Sequence, residues 1–86
     1  MQPPIRDFHR ATTIDTINRT VTIEGTTVVM TDTRMNLDKS NMPIRHAPEH
    51  QRFPFADWEK VQRCFDEKCQ QSIADGFMEL GKRGTA

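Results

Sequence analysis

Residues 54–81, PFADWEKVQRCFDEKCQQSIADGFMELG, decide how the fold is read. Within them Phe55, Trp58, Val61, Phe65, Cys69, Ile73, Phe77 and Leu80 recur at spacings of three or four. That is the period of one helix face. A helix over residues 54–81 would be ~40 Å long at ~1.5 Å per residue. Pro54 suits a first helical position, and Asp57 and Glu59 fall where the helix dipole favours negative charge. Asp57 is the alternative N-cap. Gly76 is the weak point, ~1 kcal/mol less favourable than Ala, and a place for the helix to bend or end. Gly81 is the natural C-cap, and Lys82 and Arg83 complement the C-terminal dipole.

Working backwards, residues 34–53 carry Pro43 and Pro48, and Pro54 follows directly, so no helix runs through them. They read as a long proline-punctuated connector. A loop of this length is functional, or is a crossover tacked down by Met35, Leu37, Met42 and Ile44. Residues 12–33 read as β structure, because Thr, Val and Ile dominate. Val21 and Ile23 alternate with threonines, Gly25 supplies a turn, and Val28 and Met30 continue the pattern on a second strand. A further strand around Thr13 to Ile17 would complete a three-stranded meander. Residues 1–11 read as an N-terminal arm that Ile5 and Phe8 tack onto the core, and residues 82–86 as a tail. The expected fold is a single α+β domain over residues 1–86: a small antiparallel β-meander of two or three strands, packed by one long C-terminal amphipathic helix.

The chain has 86 residues with 12 basic and 12 acidic side chains, a formal net charge of zero. Such a balance argues against binding nucleic acid or anionic membrane through bulk charge. Only residues 34–53 hold a local positive excess, and the charge patterning there is mild. The opening residues lack the apolar run of a signal peptide, and no 18-residue apolar stretch occurs, so the expected compartment is the cytoplasm with no membrane partner. Asn18-Arg19-Thr20 matches a glycosylation sequon, which has no meaning without secretion. Cys64 and Cys69 lie five apart on the predicted helix, ~7.5 Å along its axis, and are expected as free thiols.

His46, His50, Cys64 and Cys69 supply four suitable zinc donors. Residues five apart on a helix are turned ~140° from each other, so both thiols cannot face one ion. Pro48 also prevents the two histidines from stacking one helical turn apart. No metal or cofactor is expected. No nucleophile elbow, phosphate loop or metalloprotease motif occurs, and Asp66 and Glu67 point too far apart for a dyad, so no enzyme is expected.

The helix stripe outruns the strands, which span ~17–20 Å. Leftover stripe is an exposed apolar patch, and such patches mark interfaces. The function read from the sequence is therefore a small non-enzymatic protein-interaction module. It would pair with itself as a homodimer through Trp58, Val61, Phe65, Cys69, Ile73, Phe77 and Leu80. It would engage an unidentified protein through a loop bearing Ile44, Arg45, Arg52 and Phe53, acting as an inhibitor, adaptor or assembly component. Short motif-free chains of this composition are frequent among phage and mobile-element accessory proteins. The alternative is a nucleic-acid-binding module, zinc-assisted or not, in which Arg45, His46, His50 and Arg52 track a strand beside Phe53 and Phe55.

Overall fold

The computed structural model of the chain describes residues 4–83, the last three as backbone only. The expected α+β class holds, with one helix lying on an antiparallel sheet. The strands are β1 (Ile5–Ala11), β2 (Asp15–Glu24), β3 (Thr27–Leu37), β4 (Pro43–Arg45), β5 (Glu49–Pro54) and, after helix α1 (Trp58–Ala74), β6 (Met78–Arg83). Among the described residues the sheet has six strands rather than two or three, in the order β4-β3-β2-β1-β6, with β5 also paired to β3. β4 and β5 share the outer edge of β3: β5 lies along Thr27 to Asp32 and β4 along Met35 to Leu37.

Two extra strands come from the supposed connector, and one from the N-terminal arm. β1 is an interior strand between β2 and β6, with Phe8 wholly buried. No separate strand covers Thr13 to Ile17; β2 runs unbroken through Asn18 and Arg19, and Gly25 makes the turn into β3 with φ of 62°. Residues 1–3 of the arm, residues 84–86 of the tail, and the side chains of Lys82 and Arg83 lie outside the described residues.

The helix is also shorter than its stripe. It begins after Asp57, whose carboxylate accepts a hydrogen bond from the Glu59 backbone N–H at 3.0 Å. It ends at Ala74, and Gly76 turns the chain with φ of 92°, a conformation that side chains other than glycine adopt at a cost. Phe77 and Leu80 therefore keep the helical spacing in sequence while belonging to the segment that becomes β6. Seventeen residues span ~25 Å, which the sheet can largely cover.

The core is a single cluster. Val61, Cys64, Phe65 and Cys69 of α1 pack on Phe8, Val21, Ile23, Val28, Met30 and Phe77. Strand alternation explains the sheet half: Val21 and Ile23 face the helix, and Thr20 and Thr22 face away. At the far end of the helix the core closes on polar groups. Arg19 grips Asp32 with two hydrogen bonds, at 2.8 and 3.0 Å, and donates to Ser72 Oγ at 3.1 Å. Phe77 lies beneath Arg19 and Arg10, with guanidinium carbons 4.3 and 4.8 Å from the ring centre. Arg10 also donates to the Asp75 carbonyl at 2.9 Å, which satisfies an end-of-helix acceptor.

Candidate functional site

Past the Arg19–Asp32 pair the sheet continues without the helix. β2 and β3 run on through Asp15 and Leu37, and β4 pairs alongside. No residue of Asp15–Asn18, Thr33–Leu37 or β4 is buried. Five residues beyond Asp32 add ~17 Å of strand, and the molecule measures 49 × 22 × 21 Å. This extension is a β-arm.

Local chemistry shapes the arm. At one corner Thr12 Oγ1 accepts from the Asp15 backbone N–H at 3.1 Å, while the Thr12 N–H reaches the Asp15 carbonyl at 2.7 Å. At its tip Asp38 Oδ1 accepts from the N–H groups of Ser40 and Met42, at 2.7 and 2.9 Å. Asn41 there takes φ of 60°, which asparagine tolerates. This closes a β3–β4 hairpin inside what the sequence presents as a loop. Arg34 fastens Asp15 across the two long strands with hydrogen bonds of 3.0 and 2.8 Å. Those bonds hold the Asp15 carboxyl below the usual range.

Exposed large apolar side chains are not scattered. Ile14, Met35, Met42 and Ile44 sit on the arm; Ile73, Met78 and Leu80 sit at the helix end and on β6; Trp58 stands apart at the helix start. Of the seven residues expected at a homodimer seam, Val61, Phe65, Cys69 and Phe77 are buried in the chain's own core, while Trp58, Ile73 and Leu80 are at least half exposed. The four residues of the expected partner loop are likewise divided. Ile44 and Arg45 lie on the arm, and Arg52 meets Glu24 at 3.0 Å. Phe53 packs against the core with the Lys68 ammonium 4.5 Å from its ring.

This division bears on the basic and aromatic cluster. Phe53 is in register with Val28 and so faces the helix, whereas Arg52 is in register with Val29 and faces away. Phe55 is half-buried against the core. The rings expected to stack bases therefore lie on the opposite side of the sheet from Arg52 and His50.

The open face of the arm holds a groove of about 330 Å³, lined by Thr16, Asn18, Thr33, Arg34, Met35, Arg45 and His46. A smaller hollow of about 170 Å³ on the other side is lined by Ile17, Asp32 and Glu49 among others. His46, which lines both hollows, donates through Nε2 to Asn36 Oδ1. Asn18 Oδ1 is engaged by His9 Nδ1 at 2.7 Å, so its amide N–H₂ remains available. No described residue hydrogen-bonds or pairs with the Arg45 guanidinium or the Thr16 hydroxyl.

His46 and His50 sit on the sheet while Cys64 and Cys69 are buried beneath it, so the four zinc candidates are not brought together. Among the described residues no three metal-ligating side chains converge. Burial pushes the Cys69 thiol up to about 11 and raises that of Cys64. Among the described residues no helix is long and apolar enough to cross a membrane.

Sequence reasoning missed the arm. The alternation that puts Thr16 and Asn18 on one face of β2 was available, but only the pairing of residues 34–45 back onto β3 turns that face into a groove. Comparison with protein-family models, curated proteins and solved structures gives no match.

Proposed function

We propose that the protein is a non-enzymatic interaction module, an adaptor or assembly component with two contact surfaces. The observation that carries this reading is the grouping of exposed apolar side chains at the arm and at β6, separated by a closed core. Grouped apolar exposure marks contact surfaces, while single exposed residues need no explanation.

The difference between the two sheet edges supports a division of roles between the surfaces. The β4–β5 edge is interrupted by Pro43 and Pro48, ends in Pro54, and carries Glu49, His50 and Arg52. Proline and charge discourage strand addition. β6 has no proline, pairs with β1 on one side, and presents Met78 and Leu80, which are 68% and 63% exposed. An antiparallel edge can meet its own copy about a two-fold axis. The β6 edge, with Ile73 nearby in sequence, is thus the self-association surface, and the arm is left for a second protein. The nucleic-acid reading is less favoured, because the arm and the open sheet face offer basic groups without aromatic rings beside them.

Sedimentation velocity at tens of micromolar tests self-association. Wild type is expected as a dimer, and Leu80→Asp as a folded monomer with unchanged circular dichroism. A folded wild-type monomer at that concentration refutes the dimer.

A further inference from the structure

We propose that the open-face groove of the arm receives an acidic, extended segment of a partner protein, with Arg45 as the group that anchors its carboxylate. The inference rests on the reading of the arm as a contact surface and adds the chemistry of what it contacts.

The groove is unbalanced in hydrogen-bonding character. Arg45, the Asn18 amide and the Thr16 hydroxyl are donors without a described partner. Arg34 also lines the groove, but its guanidinium is engaged by Asp15 through Nε and Nη2 and is not a spare donor. No carboxylate lines this groove; Asp32 and Glu49 line the hollow on the other side, which shares only Arg34 and His46 with it. A surplus of donors around a guanidinium suits an oxyanion, and the guanidinium fork matches a carboxylate in a bidentate manner.

The shape and the neighbours select a peptide. The volume of about 330 Å³ is at the small end of ligand sites, which run from ~300 to 1,000 Å³. The groove lies open along the sheet face, so a small anion would keep most of its water there, whereas a chain segment covers it. Met35 on the same face gives an apolar side chain next to the carboxylate something to touch. Pro43 at the start of β4 makes strand addition at that edge unfavourable, so the segment lies across the face. A nucleic-acid strand is a poorer fit. One unengaged guanidinium neutralises few phosphates, and affinity for nucleic acid grows with the number neutralised.

The test is an amide chemical-shift titration of the whole protein with four probes. These are the capped peptide acetyl-(Glu-Val)₄-amide, its Gln-for-Glu counterpart, inorganic phosphate, and a twelve-nucleotide oligothymidylate. The acidic peptide is expected to shift the signals of Thr16, Asn18, Thr33 and Arg45 saturably. The Gln peptide should bind about tenfold more weakly, the loss of one charged hydrogen bond. Arg45→Gln should weaken the acidic peptide about tenfold with the remaining spectrum unchanged, since Arg45 is exposed. Equal binding of the two peptides overturns the proposal, as do shifts centred elsewhere or no binding at all. Phosphate or oligonucleotide binding at these residues as tight as the acidic peptide also overturns it. None of these failures touches the β6 dimer, which sedimentation tests separately.

Discussion

Replacing Arg19 by Met tests whether one ion pair holds the end of the core closed where the arm begins. Arg19 makes two hydrogen bonds to Asp32 and one to Ser72, and its guanidinium carbon lies 4.3 Å from the centre of the Phe77 ring. The side chains of Arg19 and Asp32 are 15% and 23% exposed. Methionine keeps much of the aliphatic stem and its packing but removes the charge, leaving Asp32 without its partner. Deleting one member of a buried pair costs ~3–5 kcal/mol. Here water still reaches about a fifth of Asp32, so ~2–3 kcal/mol is expected. For a chain of this size each kcal/mol moves the melting temperature by ~4–8 °C, so Arg19→Met should melt ~10–20 °C lower. Far-ultraviolet circular dichroism through heating and through urea gives both numbers. Arg19→Met/Asp32→Leu removes the stranded carboxylate as well and should recover at least half of the loss, as apolar replacement of buried pairs does elsewhere. A drop of less than ~3 °C in the single variant refutes the ion-pair argument. A double variant no better than the single one refutes the stranded charge as the cause.

Two further outcomes follow from the thiols and from the arm. Because burial raises both thiols, that of Cys69 to about 11, the folded protein at pH 8 should react slowly with an aromatic disulfide reagent and release both thiols at once in urea; a rapid reaction of folded protein would contradict this. Arg34 holds the Asp15 carboxyl below its ordinary value, so their pairing favours the folded arm above about pH 4 and is lost as pH falls through the lowered value. Carbon-detected titration of Asp15 should show a midpoint below ~3.9 that returns to the ordinary range in Arg34→Gln; an unchanged midpoint in that variant would remove Arg34 as the cause.

The class of the fold and its central hairpin were legible because they rest on local rules. Val21 and Ile23 alternate with threonines before Gly25, Val28 and Met30 alternate with Val29 and Thr31 after it, and the structure places Val21, Ile23, Val28 and Met30 in the core. Asp57 was readable as a cap for the same reason. The errors came where long-range pairing decides. β1 reads as an arm because Pro3-Pro4 precede it and only Ile5 and Phe8 offer large apolar side chains to tack it down. It becomes an interior strand because Arg6 meets Glu79 at 2.6 Å, Thr20 meets Asp7 at 3.1 Å and Phe8 fills the core. β4 and β5 read as a loop because prolines bound them, yet proline is tolerated on an edge strand. The helix ran too long because Phe77 and Leu80 preserve a helical spacing by coincidence across Gly76. Periodicity does not register a backbone reversal; Gly76 is legible as a place where the helix bends or ends, but the stripe continuing through Phe77 and Leu80 outweighs it and extends the expected helix to Gly81.

The arm is costly to keep ordered, which is the physical reason to connect it with binding. Fixing a residue's backbone costs ~1–2 kcal/mol, and burial of apolar surface is what usually offsets this. Along the arm that offset is small, because none of its strand residues is buried and Ile17 alone among them packs partly on the core. Ladder hydrogen bonds, the Thr12 and Asp38 turns and the Asp15–Arg34 pair keep its shape. A two-residue turn soon after Thr33 would have closed the same core with less chain. Instead the sequence carries β3 on, adds β4, and returns to β5 opposite Asp32, leaving Ile14, Met42 and Ile44 in water. That arrangement becomes favourable when a partner covers those side chains, so the arm should gain more protection from amide exchange on binding than any segment of the helix-covered core.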